Sequence, residues 1–233
     1  MRECFVDPQY YLFIIFNILV TIPNGAVTTF GSLIYLGMGL TPLQSVLYGM
    51  PTQAIGFFFV IIPAISTQYF PKSRFPWAIF TTAFSCAAFL YTGLAPDSTP
   101  MWTKWGIFIL TSVFATAMFM LWPLMSINVA GRTKKAWLSA TSLMTYCAGN
   151  IIGSQIFPPS DAPKYLHGLT ACAIVMMVNI VLMLVWWGYY AWENKRRDKA
   201  VAVLGISVEE QDYQRKLAGE ADMTDREVSG RTV

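Results

Sequence analysis

The chain has 233 residues, of which 55% are hydrophobic and only 12% are charged, and its formal net charge is +3. An ordinary soluble domain carries about twice that charged fraction, so this composition argues against a soluble globular protein. The charged residues stand in short clusters between long uncharged segments. This arrangement argues against a nucleic-acid-binding protein. It indicates an integral membrane protein that lies in a lipid bilayer, and the bilayer is therefore its expected partner.

Six apolar segments follow one another along the chain, and each is long enough to cross a bilayer. A transmembrane helix needs roughly 20 mostly apolar residues, because the hydrocarbon core is about 30 Å thick. The segments are 10–35, 43–66, 77–94, 105–130, 137–157 and 168–192. Because lipid offers no partner for a free backbone group, they are predicted to be α-helices. The predicted fold is an all-α, polytopic membrane protein with a six-helix transmembrane domain at residues 10–193.

The connectors predict where helices begin and which way they run. Thr41 is predicted to cap the second helix, with Pro42 in its first turn. Following the chain through six crossings places most basic residues on one side and only Lys104 and Lys164 on the other. Lys and Arg in short loops mark the cytoplasmic face. Both termini are therefore predicted to be cytoplasmic. The basic residues on that side are Arg2, Lys72, Arg74, Arg132, Lys134, Lys135, Lys195, Arg196, Arg197 and Lys199.

The two terminal segments differ from the predicted transmembrane domain. Residues 1–9 form a short cytoplasmic segment, and residues 194–233 form a polar, charged tail. Ser207 and Glu210 make a capping-box pattern that predicts a short helix at 208–217. The rest of the tail is expected to be solvated and mostly mobile.

The side chains of the spans argue against enzyme chemistry. No Asp, Glu, Lys or Arg lies deep in any predicted span, and the four cysteines have neither metal-ligand nor redox spacing. His167 is the only histidine and lies at the non-cytoplasmic mouth of the sixth span, where a surface histidine is favoured over a proton relay. We therefore predict a protein that is not an enzyme and has no metal or cofactor.

Uncharged polar residues beside helix breakers are the candidate binding residues. The first span holds Asn17, Thr21 and Asn24 around Pro23 and Gly25. Interrupted helices can line a binding cavity, and Asn17 and Asn24 share nearly one face. The alternative is a packing kink in which asparagine bonds to a neighbouring helix. The sequence supports both interpretations about equally.

Two later spans add to this set. In the fourth span Pro123 precedes Asn128, which loosely echoes the first span and suits a three-plus-three internal repeat. In the fifth span Tyr146 and Asn150 are four residues apart. Gly149 and Gly153 form a small-xxx-small face that predicts close helix approach.

Several sequence stretches, some of which contain the polar residues of the first, fourth and fifth spans, resemble a known family. They are similar to the carboxyl-terminal half of fungal major facilitator superfamily permeases of the anion:cation symporter group, the allantoate permease-like family. The resemblance covers nearly the whole chain. Its stretches are Asp7-Pro8-Gln9, Ile22-Pro23-Asn24-Gly25, Phe30-Gly31-Ser32-Leu33-Ile34, Asn128-Val129-Ala130-Gly131 with Thr133-Lys134-Lys135, Gly149-Asn150-Ile151-Ile152-Gly153, Asp161-Ala162-Pro163-Lys164-Tyr165 and Asp222-Met223-Thr224-Asp225.

The resemblance implies one half of a major facilitator fold, a plasma-membrane location and transport of small organic anions. It also implies that Asn24, Asn128, Tyr146 and Asn150 face a central cavity. The chain departs from the family at Ser154, where proline is common, and at the turn from Lys72 to Arg74, which lacks the usual aspartate. Its largest departure is length, because such permeases have about twelve spans.

Two hypotheses follow for the function. In the first, the chain is a permease half or truncated permease that needs a missing amino-terminal half or a second copy of itself. In the second, it is a non-transporting membrane scaffold or partner subunit. In-frame spans upstream of Met1 would favour the permease.

Overall fold

The computed structural model describes residues 7–70, 73–96, 98–129, 132–162 and 164–204, and all of the regular secondary structure in these ranges is helical. The helices are α1 (Pro8–Gly37), α2 (Pro42–Tyr69), α3 (Arg74–Leu94), α4 (Met101–Ile109), α5 (Ala115–Asn128), α6 (Arg132–Gln155) and α7 (Leu166–Leu204). Short 3-10 turns lie at Leu110–Phe114 and Pro159–Asp161. The predicted helix at 208–217 lies outside the described residues.

The first two helices begin at side-chain caps. The Asp7 carboxylate accepts from the Gln9 backbone N–H at 3.0 Å, and Pro8 occupies the first turn of α1. Thr41 and Gln44 form a reciprocal capping box at the start of α2. The prediction for Thr41 is therefore confirmed. Between the two helices Gly39 has φ +96°, a conformation that glycine adopts without a steric penalty.

The fourth predicted crossing is a composite of two helices. α4 passes through the 3-10 turn into α5, so that Met101–Leu124 forms one apolar segment of 24 residues. The turn is held from inside the fold, because the Ser85 hydroxyl of α3 donates to the carbonyl of Thr111. The Ser112 hydroxyl also donates to the carbonyl of Thr52 on α2, at 3.0 Å.

Within the described residues, five helical segments are long and apolar enough to cross a membrane: α1, α2, α3, the composite of α4 and α5, and α7. The predicted span at 137–157, most of which lies in α6, is not among them. α6 has 24 residues but carries more polar side chains. It runs parallel to α1 along its length, from the Tyr10–Thr141 hydroxyl contact at 2.9 Å to the stacked rings of Phe30 and Phe157 at 5.0 Å. The predicted all-α, polytopic architecture is thereby confirmed.

The core lies where α1, α3 and α7 meet. Trp186 of α7 is fully buried, and its ring contacts Phe13, Phe16 and Phe75 at centroid distances of 6.4, 5.7 and 5.6 Å. α7 then continues as helix to Leu204, beyond the predicted end of the sixth span at residue 192. α2, in contrast, packs only one side into the bundle and exposes most of its large apolar side chains.

Candidate substrate-facing site

Three glycines allow α1 and α6 to approach until their backbones touch. A Cβ atom added to Gly25 would lie 2.3 Å from the Asn150 carbonyl oxygen, and one added to Gly153 would lie 2.1 Å from the Ile22 carbonyl oxygen. Gly149 faces Thr21 and the carbonyl of Ile18 in the same way. The predicted close-packing face of Gly149 and Gly153 is therefore confirmed, and its partner is α1.

Asn17 is fully buried in this interface and joins three helices. Its amide nitrogen donates to the Ser142 carbonyl at 2.7 Å and to the Thr145 hydroxyl of α6. Its amide oxygen accepts from the indole N–H of Trp122, on α5, at 2.9 Å. We call Asn17, Trp122, Ser142 and Thr145 the Asn17 cluster. Its polar groups are used within the protein, as expected for a packing site.

Thr21 also has an internal role. Its side chain is fully buried, and its hydroxyl donates to the carbonyl oxygens of Asn17 and Ile18 at 2.7 and 3.1 Å. Such a hydroxyl bonds back onto its own helix and leaves the next turn free to bend. That turn contains Pro23 and Gly25.

Asn24 lies two turns beyond Asn17 and reaches the surface of the bundle. Its amide nitrogen donates to Asn150 Oδ1 at 2.9 Å and to the Tyr146 hydroxyl at 3.3 Å. The Asn150 amide in turn donates to the Tyr146 backbone carbonyl at 2.8 Å. All three residues are half-buried. We call Asn24, Tyr146 and Asn150 the Asn24 cluster.

The Asn24 cluster has hydrogen-bonding capacity to spare. Among the described residues, no partner accepts the Tyr146 O–H proton, and none donates to Asn24 Oδ1. The cluster can therefore offer one donor and one acceptor to a molecule at the surface. The ring of Tyr146 is held by Trp122 at a centroid distance of 6.2 Å. Trp122 therefore connects the two clusters.

The structure brings together five of the six predicted site residues: Asn17, Thr21, Asn24, Tyr146 and Asn150. The sixth, Asn128, is the last residue of α5, and its side chain lies outside the part that the structure describes.

Gln53 on α2 is a polar surface residue that the sequence analysis did not single out. The Ser45 hydroxyl donates to the Ser32 carbonyl at 2.8 Å and sets the antiparallel register of α1 and α2. The Tyr35 and Thr52 hydroxyls bond at 3.0 Å, so Gln53, next to Thr52, lies toward the Tyr35 end of α1 relative to Asn24. Gln53 is exposed, about 100° around the helix from the buried Thr52. The feature of the sequence that could have identified Gln53 is its amide side chain in a largely apolar span.

Charged groups lie at the ends of the bundle, away from both clusters. Lys134 pairs with Asp7 at 3.4 Å, and Arg196 pairs with Glu193 at 3.0 Å. At the opposite end Asp161 contacts His167 Nδ1 at 2.7 Å, while the His167 side chain remains 81% exposed. Burial raises the pKa of the Asp161 carboxyl, but the hydrogen bonds and charge of His167 lower it more, so the net pKa is below its ordinary value.

Sequence comparison identifies relatives among fungal transporters. The chain is 33% identical over 228 residues to an uncharacterized transporter of Schizosaccharomyces pombe, covering 97% of the chain and 42% of the relative. It is 29% identical over 219 residues to the allantoate permease of Saccharomyces cerevisiae, covering 89% and 39%. It is 30% identical over 242 residues to the MFS-type transporter cnsL of Penicillium expansum, covering 98% and 45%.

The chain thus spans less than half the length of these curated relatives. No family profile and no solved structure matches it.

Proposed function

Because the chain belongs to the fungal transporters of the major facilitator superfamily, we propose that its helices form one half of a secondary active permease. In this proposal the Asn24 cluster and Gln53 lie on the wall of the substrate pathway. Asn17 and Thr21 hold that wall together from inside.

The observation that carries the proposal is a polar surface at membrane depth. Asn24, Tyr146 and Asn150 are half-buried, and Gln53 is exposed, on helices whose other exposed side chains are largely apolar. A polar group facing hydrocarbon without a partner costs several kcal/mol, by order of magnitude. A water-filled pathway removes that cost, and intramembrane polar groups commonly mark such pathways.

The proposed substrates are small organic anions. One relative is named for allantoate transport, and the spare O–H donor of Tyr146 suits a carboxylate oxygen. The charges on this chain lie at the ends of the bundle. The positive charge that attracts the anion is therefore proposed to come from the surface that faces this wall.

The facing surface is proposed to be a second six-helix unit, either an amino-terminal half or another copy of this chain. Parallel halves of such transporters are related by an axis along the membrane normal, with the substrate between them. A single copy would expose the Asn24 cluster to lipid. We therefore expect no uptake by the chain reconstituted as a proven monomer, and radiolabelled uptake by that monomer would contradict the two-wall arrangement.

We further propose that both termini are cytoplasmic and that the protein resides in the plasma membrane. The basic connectors and the basic end of α7 support this orientation. Protease protection in sealed cells tests it, because a C-terminal tag should be cleaved only after permeabilisation. Cleavage of that tag in intact cells would contradict the orientation.

Transport itself is tested by joining the chain to the amino-terminal half of its allantoate permease relative. Uptake of radiolabelled allantoate and other small carboxylates should then appear, and Tyr146→Phe should reduce it because the hydroxyl donor is lost. Tyr91→Phe is the matched control, since this exposed tyrosine lies on α3.

Two results would count against the proposal. Uptake that is unchanged in both Tyr146→Phe and Asn24→Ala would remove the Asn24 cluster from the pathway. Membrane insertion and normal folding without uptake in any paired form would favour the scaffold or partner subunit.

A further inference from the structure

Asn179 of α7 is a buried amide for which the fold supplies no partner. Its side chain has 0% exposure, and among the described residues neither its amide nitrogen nor its amide oxygen has a hydrogen-bond partner. Buried polar groups in proteins are nearly always paired, and leaving one unpaired costs about 1–3 kcal/mol. Asn179 therefore requires a hydrogen-bond partner beyond the side chains and backbone that the structure describes.

Trp186, on the same face of α7, offers an instructive contrast. Its indole N–H also has no conventional acceptor among the described residues. However, its ring is enclosed by aromatic rings, with those of Phe16 and Phe75 at 5.7 and 5.6 Å. Aromatic faces are weak acceptors for N–H groups. Asn179 has two strong polar groups, an amide nitrogen and an amide oxygen, so leaving it without hydrogen-bond partners costs more.

The residues that contact Trp186 indicate which residues of α1 and α3 lie at the depth of Asn179. Phe16 of α1 and Phe75 of α3 both contact Trp186. A step of seven residues, or about 10.5 Å, moves two turns along a helix and returns to nearly the same face. Since α7 runs antiparallel to α1 and α3, this step leads to Asn179, Pro23 and Thr82.

Two further contacts fix the register of α3 against α7. The Cys86 thiol donates to the Ala173 carbonyl at 3.4 Å, and a Cβ added to Gly93 would lie 3.3 Å from the Leu169 Cβ atom. Thr82 lies on the same stripe of α3 as these residues, and its exposure is 0%. It therefore faces α7 at the depth of Asn179.

Both neighbouring residues bring unused acceptor capacity. Pro23 has no backbone N–H, so the carbonyl oxygen of Leu19, one turn earlier, lacks its usual helical donor. The Thr82 hydroxyl donates to the Ala78 carbonyl at 2.7 Å and keeps its oxygen lone pairs. Asn179 adds one acceptor and two donors.

We propose that Asn179, Thr82 and the Leu19 carbonyl form an internal hydration site that holds one water molecule between α1, α3 and α7. Water fits this set because it both donates and accepts, and a buried water typically makes two to four hydrogen bonds. A metal cation would engage the oxygen atoms but leave the Asn179 amide protons unpaired. It would also bring a buried charge into spans that hold no deep carboxylate.

The site lies directly behind the proposed pathway wall. Asn24 follows Pro23 in the chain and points about 100° away, toward α6. The water satisfies the Leu19 carbonyl that Pro23 leaves without a helical donor, and so it stabilises the turn of α1 that presents Asn24. This inference does not depend on the identity of any substrate.

Two methionines can report on this water. Met176 and Met183 lie three residues before and four residues after Asn179 on α7, and both have 0% exposure. X-ray irradiation splits a resident water into hydroxyl radicals, which oxidise an adjacent methionine to the sulfoxide. A methionine in a dry core is protected. The experiment is radiolytic labelling of the full chain in nanodiscs, read by mass spectrometry.

We expect prompt oxidation of Met176 and Met183 in the unmodified chain, and loss of that oxidation in Asn179→Leu. Thr82→Val should reduce it. Thr81→Val is the matched control, because Thr81 is equally buried but lies about 100° around α3, on the side that faces the 3-10 turn. Met120 of α5 provides an internal reference that should not change in any variant.

Background-level oxidation of both methionines in the unmodified chain would overturn the proposal without any variant. Oxidation that persists in a folded Asn179→Leu variant would also overturn it. Equal losses in Thr81→Val and Thr82→Val would do the same, because they would indicate general loosening of the core and not a bound water. Thermal unfolding of each variant confirms that it is folded.

Discussion

The Asn17 cluster and the Asn24 cluster lie two turns apart on α1, and each pairs an asparagine of α1 with polar groups of α6. In the Asn17 cluster the asparagine is fully buried and bonded to two other helices. In the Asn24 cluster all members are half-buried and retain a free donor and acceptor. On the same helix, Asn17 thus holds helices together, whereas Asn24, two turns later, presents a polar surface.

The transition between the clusters coincides with Pro23, the proline within α1. Before Pro23, α1 is enclosed by α5, α6 and α7, while after it Gly25 lies against the Asn150 backbone of α6. Polar groups enclosed in the core are expected to determine stability. Polar groups on the open surface are expected to determine activity and to contribute less to stability. Substitutions in the two clusters test that division.

The largest effect is expected where α1 and α6 touch. In Gly153→Leu the new Cβ would meet the Ile22 carbonyl oxygen and the Ala26 backbone nitrogen, at 2.1 and 2.9 Å. Backbone atoms cannot move aside as a flexible side chain can, so we expect a loss of about 3 kcal/mol, the upper end for overpacking. Thermal unfolding in detergent measures it. The control is Gly188→Leu, because a Cβ there meets nothing within 4 Å; equal effects would contradict the contact.

The next effect is expected at Asn17. Asn17→Leu removes its bonds to Ser142 and Thr145 and leaves the Trp122 N–H without an acceptor. Hydrogen bonds between membrane helices contribute about 0.6 kcal/mol each, so we expect a loss of about 2 kcal/mol. The same unfolding assay measures it. A variant as stable as the unmodified chain would show that the cluster does not hold the helices together.

A smaller loss is expected at Asn24, although it has the same side chain. Asn24→Leu removes two hydrogen bonds at a half-exposed position, and we expect a cost of about 1 kcal/mol or less. Uptake by the paired transporter should nevertheless fall sharply, because the free amide oxygen is lost. A larger destabilisation than in Asn17→Leu would remove the distinction between the clusters.

The smallest effect is expected at the exposed Asp161–His167 pair. The pKa of Asp161 is lower in the folded protein than its ordinary value, so this carboxylate stabilises the fold above that value. The contribution disappears as the pH falls through the lowered pKa. We therefore expect the unfolding temperature of the unmodified chain to decline more steeply below about pH 4 than that of Asp161→Asn. Parallel pH profiles for the two proteins would contradict this linkage.

Much of the fold could be predicted from local physics. Apolar length predicted the five segments that are long and apolar enough to cross a membrane, Thr41 was predicted to cap α2, and Gly149 with Gly153 predicted a close helix contact. The site was predicted only in part. The sequence did not distinguish the role of Asn17 from that of Asn24, because an asparagine near a proline can either pack against a neighbouring helix or line a cavity. Gln53 was missed because depth and exposure depend on the register between helices.

The sequence by itself determined that this protein is an all-helical membrane protein, since hydrophobic length, caps and helix breakers act over a few turns. Only the tertiary structure decided which faces of those helices meet one another. Membrane helices are apolar on their lipid side and on their core side, so sequence periodicity distinguishes the two sides weakly. The burial of Asn17, the exposure of Asn24 and the meeting of Pro23, Thr82 and Asn179 arise from contacts between residues far apart in the chain.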